Sequence, residues 1–178
     1  FAQGYDINEK NDEALLTEAV AKAKAAKKVI IFAGLPDSYE SEGYDRKDMS
    51  IPENQNKLIA AITDANPETA VVLHNGSPVE MPWINSVKAV LESYLAGETC
   101  GIAQVNILFG KVNPSGKLAE TFPLRVQDNP SYINFPGDGK SVNHAEGLYV
   151  GYRYYDAKEM PVLFPFGHGL SYTSFEYS

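Results

Sequence analysis

The chain has 178 residues, 44% of them hydrophobic and 21% charged, which is enough to bury a core of one domain or slightly more without staples. Its formal net charge of −8 argues against a nucleic-acid binder, which needs a basic face, and against an anionic membrane surface. A neutral partner such as a sugar is compatible with it.

Cys100 is the single cysteine, so no intrachain disulfide framework exists. It reads as a small semi-buried side chain rather than a nucleophile. No apolar run approaches the ~18–20 residues of a membrane span. The start, Phe1-Ala2-Gln3-Gly4-Tyr5-Asp6, is not a signal peptide and has no initiator Met. The chain therefore reads as an excerpt of a longer one, and its localisation is not legible from it.

The first periodic segment runs from about Asp12 to Lys28, with Leu15, Leu16, Ala19, Val20 and Ala23 at helical spacing. Asn11 or Asp12 is its N-cap candidate, and Lys22, Lys24, Lys27 and Lys28 suit the dipole at its end. Val29 to Ala33 follows as a short continuous apolar run, predicting a strand buried on both faces. Residues 34 to 49 are polar, acidic and Gly-containing, so they predict a loop. Ser50-Ile51-Pro52-Glu53 matches a capping box with an early-turn proline. It predicts a helix to about Asp64 with Leu58, Ile59 and Ile62 inward, ended by Asn66-Pro67.

Thr69 to His74 predicts a second buried strand, broken by Asn75-Gly76-Ser77-Pro78. Val87 to Leu95 reads as a third strand, with a helix as the alternative, and Gly97 to Phe109 as a helix. Asn113 to Gly116 is a turn, and Leu118 to Phe122 predicts a further short strand. Alternating helices and strands imply an α/β fold, a parallel sheet covered on both faces. From about Val126 the chain is rich in Pro, Gly and Tyr without helical period. Its alternating aromatic run, Gly147 to Tyr155, predicts loops and a short strand around the core.

The loop after the first strand is the most unusual feature. It carries Asp37, Glu40, Glu42, Asp45, Arg46 and Asp48 at the carboxyl end of a strand, where open α/β sheets place ligand crevices. Crowded acids beside an arginine can hold one carboxyl as a general acid next to an ionised neighbour. Composition alone favours the plainer alternative, a solvated acidic surface.

Other chemistries fit less well. The carboxylate spacing does not match a twelve-residue calcium loop. Gly110 and Gly116-Lys117 are separated by the wrong interval for a phosphate cradle, and Leu118 stands where Ser or Thr is needed. His74, His144 and His168 lack zinc-ligand spacing, and no Gly-x-Ser-x-Gly elbow exists. The sequon Asn75-Gly76-Ser77 ends a buried strand and reads as a coincidence. Among the many aromatics, Trp83 included, most read as packing. Tyr39 and Tyr44 stand out because they flank the acidic pair.

Taken in order, these segments resemble a known family. Gly34-Leu35, Glu40-Ser41-Glu42-Gly43-Tyr44-Asp45-Arg46, Met49 and Ile51-Pro52 are similar to the second domain of family 3 glycoside hydrolases of β-glucosidase type. The likeness continues through His74 to Trp83, Phe109 to Leu118, Thr121-Phe122-Pro123, Asn134 to Asp138, Glu146 to Asp156 and Phe164 to Thr173.

The resemblance implies a flavodoxin-like three-layer α/β sandwich with a mainly parallel sheet and an irregular tail. It implies a retaining exo-acting glycosidase without a cofactor or metal, acting on a β-glucoside or oligosaccharide. The acid/base role falls on Glu42, with Glu40 as second choice. Asp45 and Arg46 are implied as loop supports, and Tyr39 and Tyr44 are candidate substrate contacts. The nucleophile belongs to an N-terminal (β/α)8 barrel of the same enzyme, which takes ~250 residues and is not in this chain.

The expected organisation is a sandwich core over 1–125, a loop-rich extension over 126–170, and the start of a fibronectin-like domain over 171–178. Strands preceding the first helix are expected outside the chain as well. The alternative function is a non-catalytic carbohydrate-binding or subunit-docking module.

Overall fold

The structure is a computed structural model that describes residues 1–8 and 12–176. The N-cap candidate Asn11, and Tyr177 and Ser178 of the segment expected to begin a fibronectin-like domain, lie outside the described residues. The chain divides into two compact units, Phe1–Glu98 and Thr99–Ser178.

The first unit contains α1 (Asp12–Ala25), β1 (Val29–Gly34), α2 (Glu53–Ala65), β2 (Thr69–His74) and β3 (Ala89–Glu92). The strands form one parallel sheet in the order β1-β2-β3, with Val29 opposite Thr69 and Ala70 opposite Ala89. This is the α/β, parallel-sheet architecture that the alternating pattern predicts.

Val71, Val72 and Leu73 at the middle of β2 are completely buried, as a central strand with continuous apolar sequence should be. Strand β1 departs from the expectation of burial on both faces. Ile31 and Ala33 are buried, but Ile30 and Phe32 are 41% and 52% exposed. A run of apolar residues has no period, so it cannot tell a one-sided strand from a two-sided one.

Helix α1 packs on α2 and buries its small residues Ala19 and Ala23. It ends at Ala25, a turn earlier than the lysine-rich segment suggests. Asn66, at the C-terminus of α2, donates its side-chain amide to Ala23 O and Ala26 O, both at 2.9 Å. It thereby satisfies carbonyls that a helix end leaves open.

Helix α2 buries Leu58, Ile59 and Ile62 as its spacing predicts, together with Gln55 and Thr63. The capping box does not form. Pro52 occupies the N-cap in extended backbone (φ −49°, ψ 135°) with no side-chain cap bond. Ser50 lies two residues further out, where its N–H donates to Asp48 Oδ1 at 2.8 Å. The residue types match a capping box, but the helix starts too late to use them.

The third strand is shorter than Val87 to Leu95. A 3-10 turn at Ile84–Ser86 precedes it, and Tyr94 at φ +48° follows it.

The second unit contains α3 (Cys100–Leu108) and α4 (Tyr152–Ala157). Two sequence expectations are corrected here. Leu118 to Phe122 forms no strand, only the bridge between Phe122 and Phe164, whose rings meet edge-on at 6.2 Å. The run Gly147 to Tyr155 contains no strand: its first residues form a turn, with Tyr149 N–H on Glu146 O at 3.0 Å. Gly151, at φ +57°, turns the chain into α4. There Tyr152 stacks on Phe166 at 5.0 Å, while Tyr155, one helical turn on, is buried. Aromatic residues at i and i+3 serve a helix face, although their alternation mimics a strand. No helix among the described residues is long and apolar enough to cross a membrane.

Candidate active site

The carboxyl ends of β1 and β2 lie side by side, and the segments leaving them build the site. At the β1 exit, Leu35 N–H donates to His74 O at 2.9 Å, carrying the ladder one step past the strand. Gly34 is required there. A Cβ on it would stand 2.0 Å from the carbonyl oxygen of His74. Both backbone polar groups of Gly34 are held by the buried Gln55 of α2, whose Oε1 accepts from the N–H at 2.8 Å and whose Nε2 donates to the C=O at 2.9 Å. Strand β1 therefore ends at a defined point, and the acidic loop starts from it.

Pro36 opens a turn in which Tyr39 N–H and Glu40 N–H both donate to its carbonyl, at 2.8 and 3.2 Å. The turn aims Glu40 at the β2 exit. Its Oε2 accepts the Gly76 N–H at 2.7 Å and its Oε1 accepts the Ser77 hydroxyl at 3.1 Å.

At the other end of the loop, Arg46 Nη1 donates to Ser77 Oγ at 2.8 Å and to Pro78 O at 3.0 Å. Burial lowers the Arg46 guanidinium from its ordinary value, and the negative charges of Glu40 and Asp48 oppose that shift. The turn is braced from below by Asn75, which is buried. Its amide donates to Ser77 O at 2.9 Å and to Glu92 Oε2 at 3.3 Å.

Between the anchors, Ser41 and Tyr44 form an antiparallel bridge, so residues 41 to 44 make a tight tip. Tyr44 hydroxyl donates to the Asp37 carbonyl, while the residue stays 47% exposed. Glu42 sits on the tip. It is exposed and has no side-chain hydrogen bond or ion pair among the described residues. Asp45 is also exposed. Tyr39 is half-buried.

Of the residues singled out in the sequence, then, Glu40 and Arg46 converge on one turn, and Glu42 and Asp45 face outward between them. Beyond the loop, Met49 and Ile51 are buried, and Glu80 N–H donates to Met49 O at 2.8 Å. Trp83 is buried too, with its indole N–H on Asn56 Oδ1 at 3.0 Å, so it packs the core and offers no face to a ligand.

Sequence reasoning passed over Asn75, Gly76 and Ser77 as supports of the acidic loop. Their signal was positional: a Gly-Ser turn leaving a buried strand next to the acidic loop's own strand.

A parallel α/β sheet whose adjacent strand exits hold a clamped acidic loop belongs to the class of domains that build ligand crevices at the carboxyl edge. Comparison with known proteins names the family. Residues 5–172 match the glycosyl hydrolase family 3 C-terminal domain, and the chain belongs to that family.

It is 59% identical over 179 residues to thermostable β-glucosidase B of Acetivibrio thermocellus, covering 100% of this chain and 24% of that protein. Its fold superposes with a TM-score of 0.94 on the crystal structure of the Bifidobacterium adolescentis family 3 β-glucosidase. The identity there is 47%, and the match covers 98% of this chain and 26% of that one. The β-glucosidase of Kluyveromyces marxianus solved in complex with glucose is similar at a TM-score of 0.89 and 40% identity, over 93% of this chain and 20% of that one. The chain thus spans about a quarter of the length of such relatives.

Proposed function

We propose that this chain is the acid/base-bearing part of a retaining exo-β-glycosidase that hydrolyses terminal, non-reducing β-D-glucosyl residues. Relatives named β-glucosidase support the substrate class. The observation that carries the residue assignment is the contrast between the two glutamates. Glu40 has both oxygens engaged by the Gly76 N–H and the Ser77 hydroxyl. The N–H can only donate, so Oε2 is committed as an acceptor. Glu42 stands unengaged on the tip of the loop that Glu40 and Arg46 anchor. A group that hands a proton to a leaving oxygen must be free to reach it.

In this reading Glu42, as acid, protonates the departing glycosidic oxygen while an aspartate of an N-terminal (β/α)8 barrel attacks the anomeric carbon. A glycosyl-enzyme forms. Glu42, now a carboxylate, then takes a proton from water as that water displaces the enzyme. Tyr44, with its hydroxyl tied to the loop and its ring partly exposed, is a stacking surface for a sugar ring. Arg46 supports the loop, and Asp45 lies on its outer side.

The test is hydrolysis of an aryl β-glucoside by the full protein containing this chain, with Glu42→Gln and Glu40→Gln compared. Loss of turnover by orders of magnitude in Glu42→Gln is expected. Wild-type hydrolysis in that variant would remove the assignment and favour a non-catalytic binding module. The isolated chain is expected to show no turnover, since the opposed carboxylate lies outside it.

A further inference from the structure

We propose that Ser77 is a positioning residue for the catalytic loop, its hydroxyl joining Glu40 Oε1 at 3.1 Å to Arg46 Nη1 at 2.8 Å and so fastening both ends of the Glu42 segment to the β2 exit turn. This rests on the reading of Glu42 as acid/base.

The polarity of the contact admits one arrangement. A guanidinium has only donors, so Ser77 Oγ must accept from Arg46. Its single proton is then left for the Glu40 carboxylate, which accepts it. No direct ion pair joins Arg46 to Glu40, because the ion pairs among the described residues lie elsewhere. The hydroxyl therefore links two charged side chains of opposite sign that do not meet.

Its own placement is fixed from behind. Asn75, buried at the end of β2, holds the Ser77 carbonyl at 2.9 Å. Gly76 leaves the space that Glu40 fills, since a Cβ there would approach Glu40 Oε1 to 2.6 Å. Within the turn, Asn75 is thus the buried brace, Gly76 the open space and Ser77 the hydroxyl link. A reacting carboxyl on a loop is only as well placed as the groups behind it.

The inference predicts a selective loss. Acid assistance matters for formation of the glycosyl-enzyme when the leaving group is poor, and hardly at all when it is a dinitrophenolate. In the full protein, Ser77→Ala should lower kcat/KM on an alkyl or unactivated aryl β-glucoside about ten- to a hundredfold, the loss that a misplacement of about 1 Å brings. On the dinitrophenyl glucoside kcat/KM should stay near wild type, since departure of that leaving group needs no proton. Ser77→Thr, which keeps the hydroxyl, should recover the loss.

An equal fall on both substrates, no fall on either, or a loss that Ser77→Thr leaves unrepaired would overturn the proposal. Glu42→Ala in the same assays separates the two readings. If it retains wild-type kcat/KM on the poor leaving group, the acid/base assignment fails and the role of Ser77 fails with it. If it loses that activity while Ser77→Ala keeps it, only the role of Ser77 fails.

Discussion

The Glu40 carboxylate accepts the backbone N–H of Gly76 at 2.7 Å, across a gap of 36 residues in sequence. This contact ties the loop that leaves one strand to the turn that leaves the next. It also separates two glutamates that stand two positions apart. One is tied to the turn, and the other has no side-chain partner among the described residues.

Gly76→Ala tests the tie without removing any polar group. The added Cβ would meet Glu40 Oε1 at 2.6 Å, and that atom is the far end of a flexible side chain. Glu40 should swing aside rather than the fold fail. The expected cost in stability is about 2 kcal/mol, for the two hydrogen bonds that Glu40 gives up. Hydrolysis of a poor-leaving-group glucoside by the full protein should fall more than tenfold, in the manner of a misplaced catalytic group. Thermal melting and kinetics on the same preparation check the contrast.

Gly34→Ala should behave in the opposite way. Here the obstacle is the His74 carbonyl oxygen at 2.0 Å, a backbone atom inside the β1–β2 ladder. It cannot rotate away, so the strands must separate. Urea unfolding should show a loss of about 3 kcal/mol or more, at the upper end of overpacking effects. A stable variant would mean that the strand ends are looser than they look.

Gln55→Leu keeps the volume but removes both bonds to Gly34, at 2.8 and 2.9 Å. The Gly34 N–H and C=O would be left without partners beside a leucine. Each such group costs about 1–3 kcal/mol. Denaturant unfolding should show the loss. Activity of the full protein should fall as well, because Gly34 is where the acidic loop begins.

Tyr155 gives a pH prediction for the second unit. Burial first, then the Asp128 charge and the neighbouring Tyr154, push its hydroxyl up from 10.0 to about 12. The folded state therefore keeps the proton more tightly than the unfolded chain. That contribution is fully present below pH about 10 and is lost as pH rises through about 12. Measured from about pH 9 upward, the unfolding midpoint of wild type should fall relative to that of Tyr155→Phe as the wild type loses this term. Parallel curves over that range would contradict it.

Much of the fold was legible from periodicity. Strand β2 falls on Thr69 to His74, and α2 buries Leu58, Ile59 and Ile62. These are elements whose apolar spacing and packing agree. The misreadings share one cause. The Ser50–Glu53 pair and the run Gly147 to Tyr155 are local patterns compatible with two structures. Only the neighbours present in three dimensions choose between them.

The same division runs through the site. By itself the sequence determined that a dense acidic loop leaves a short apolar strand, and its ordered motifs place the chain in family 3. Its resemblance to that family put Glu42 ahead of Glu40, but spacing alone offered no physical ground for the choice, since both are glutamates in one short stretch. Tertiary structure decided which of them is engaged. The parallel sheet sets the exits of β1 and β2 side by side, so Gly76 and Ser77 fall within hydrogen-bond reach of Glu40 and not of Glu42. Hydrogen bonds act over about 3 Å, and which groups come that close is a property of the folded chain.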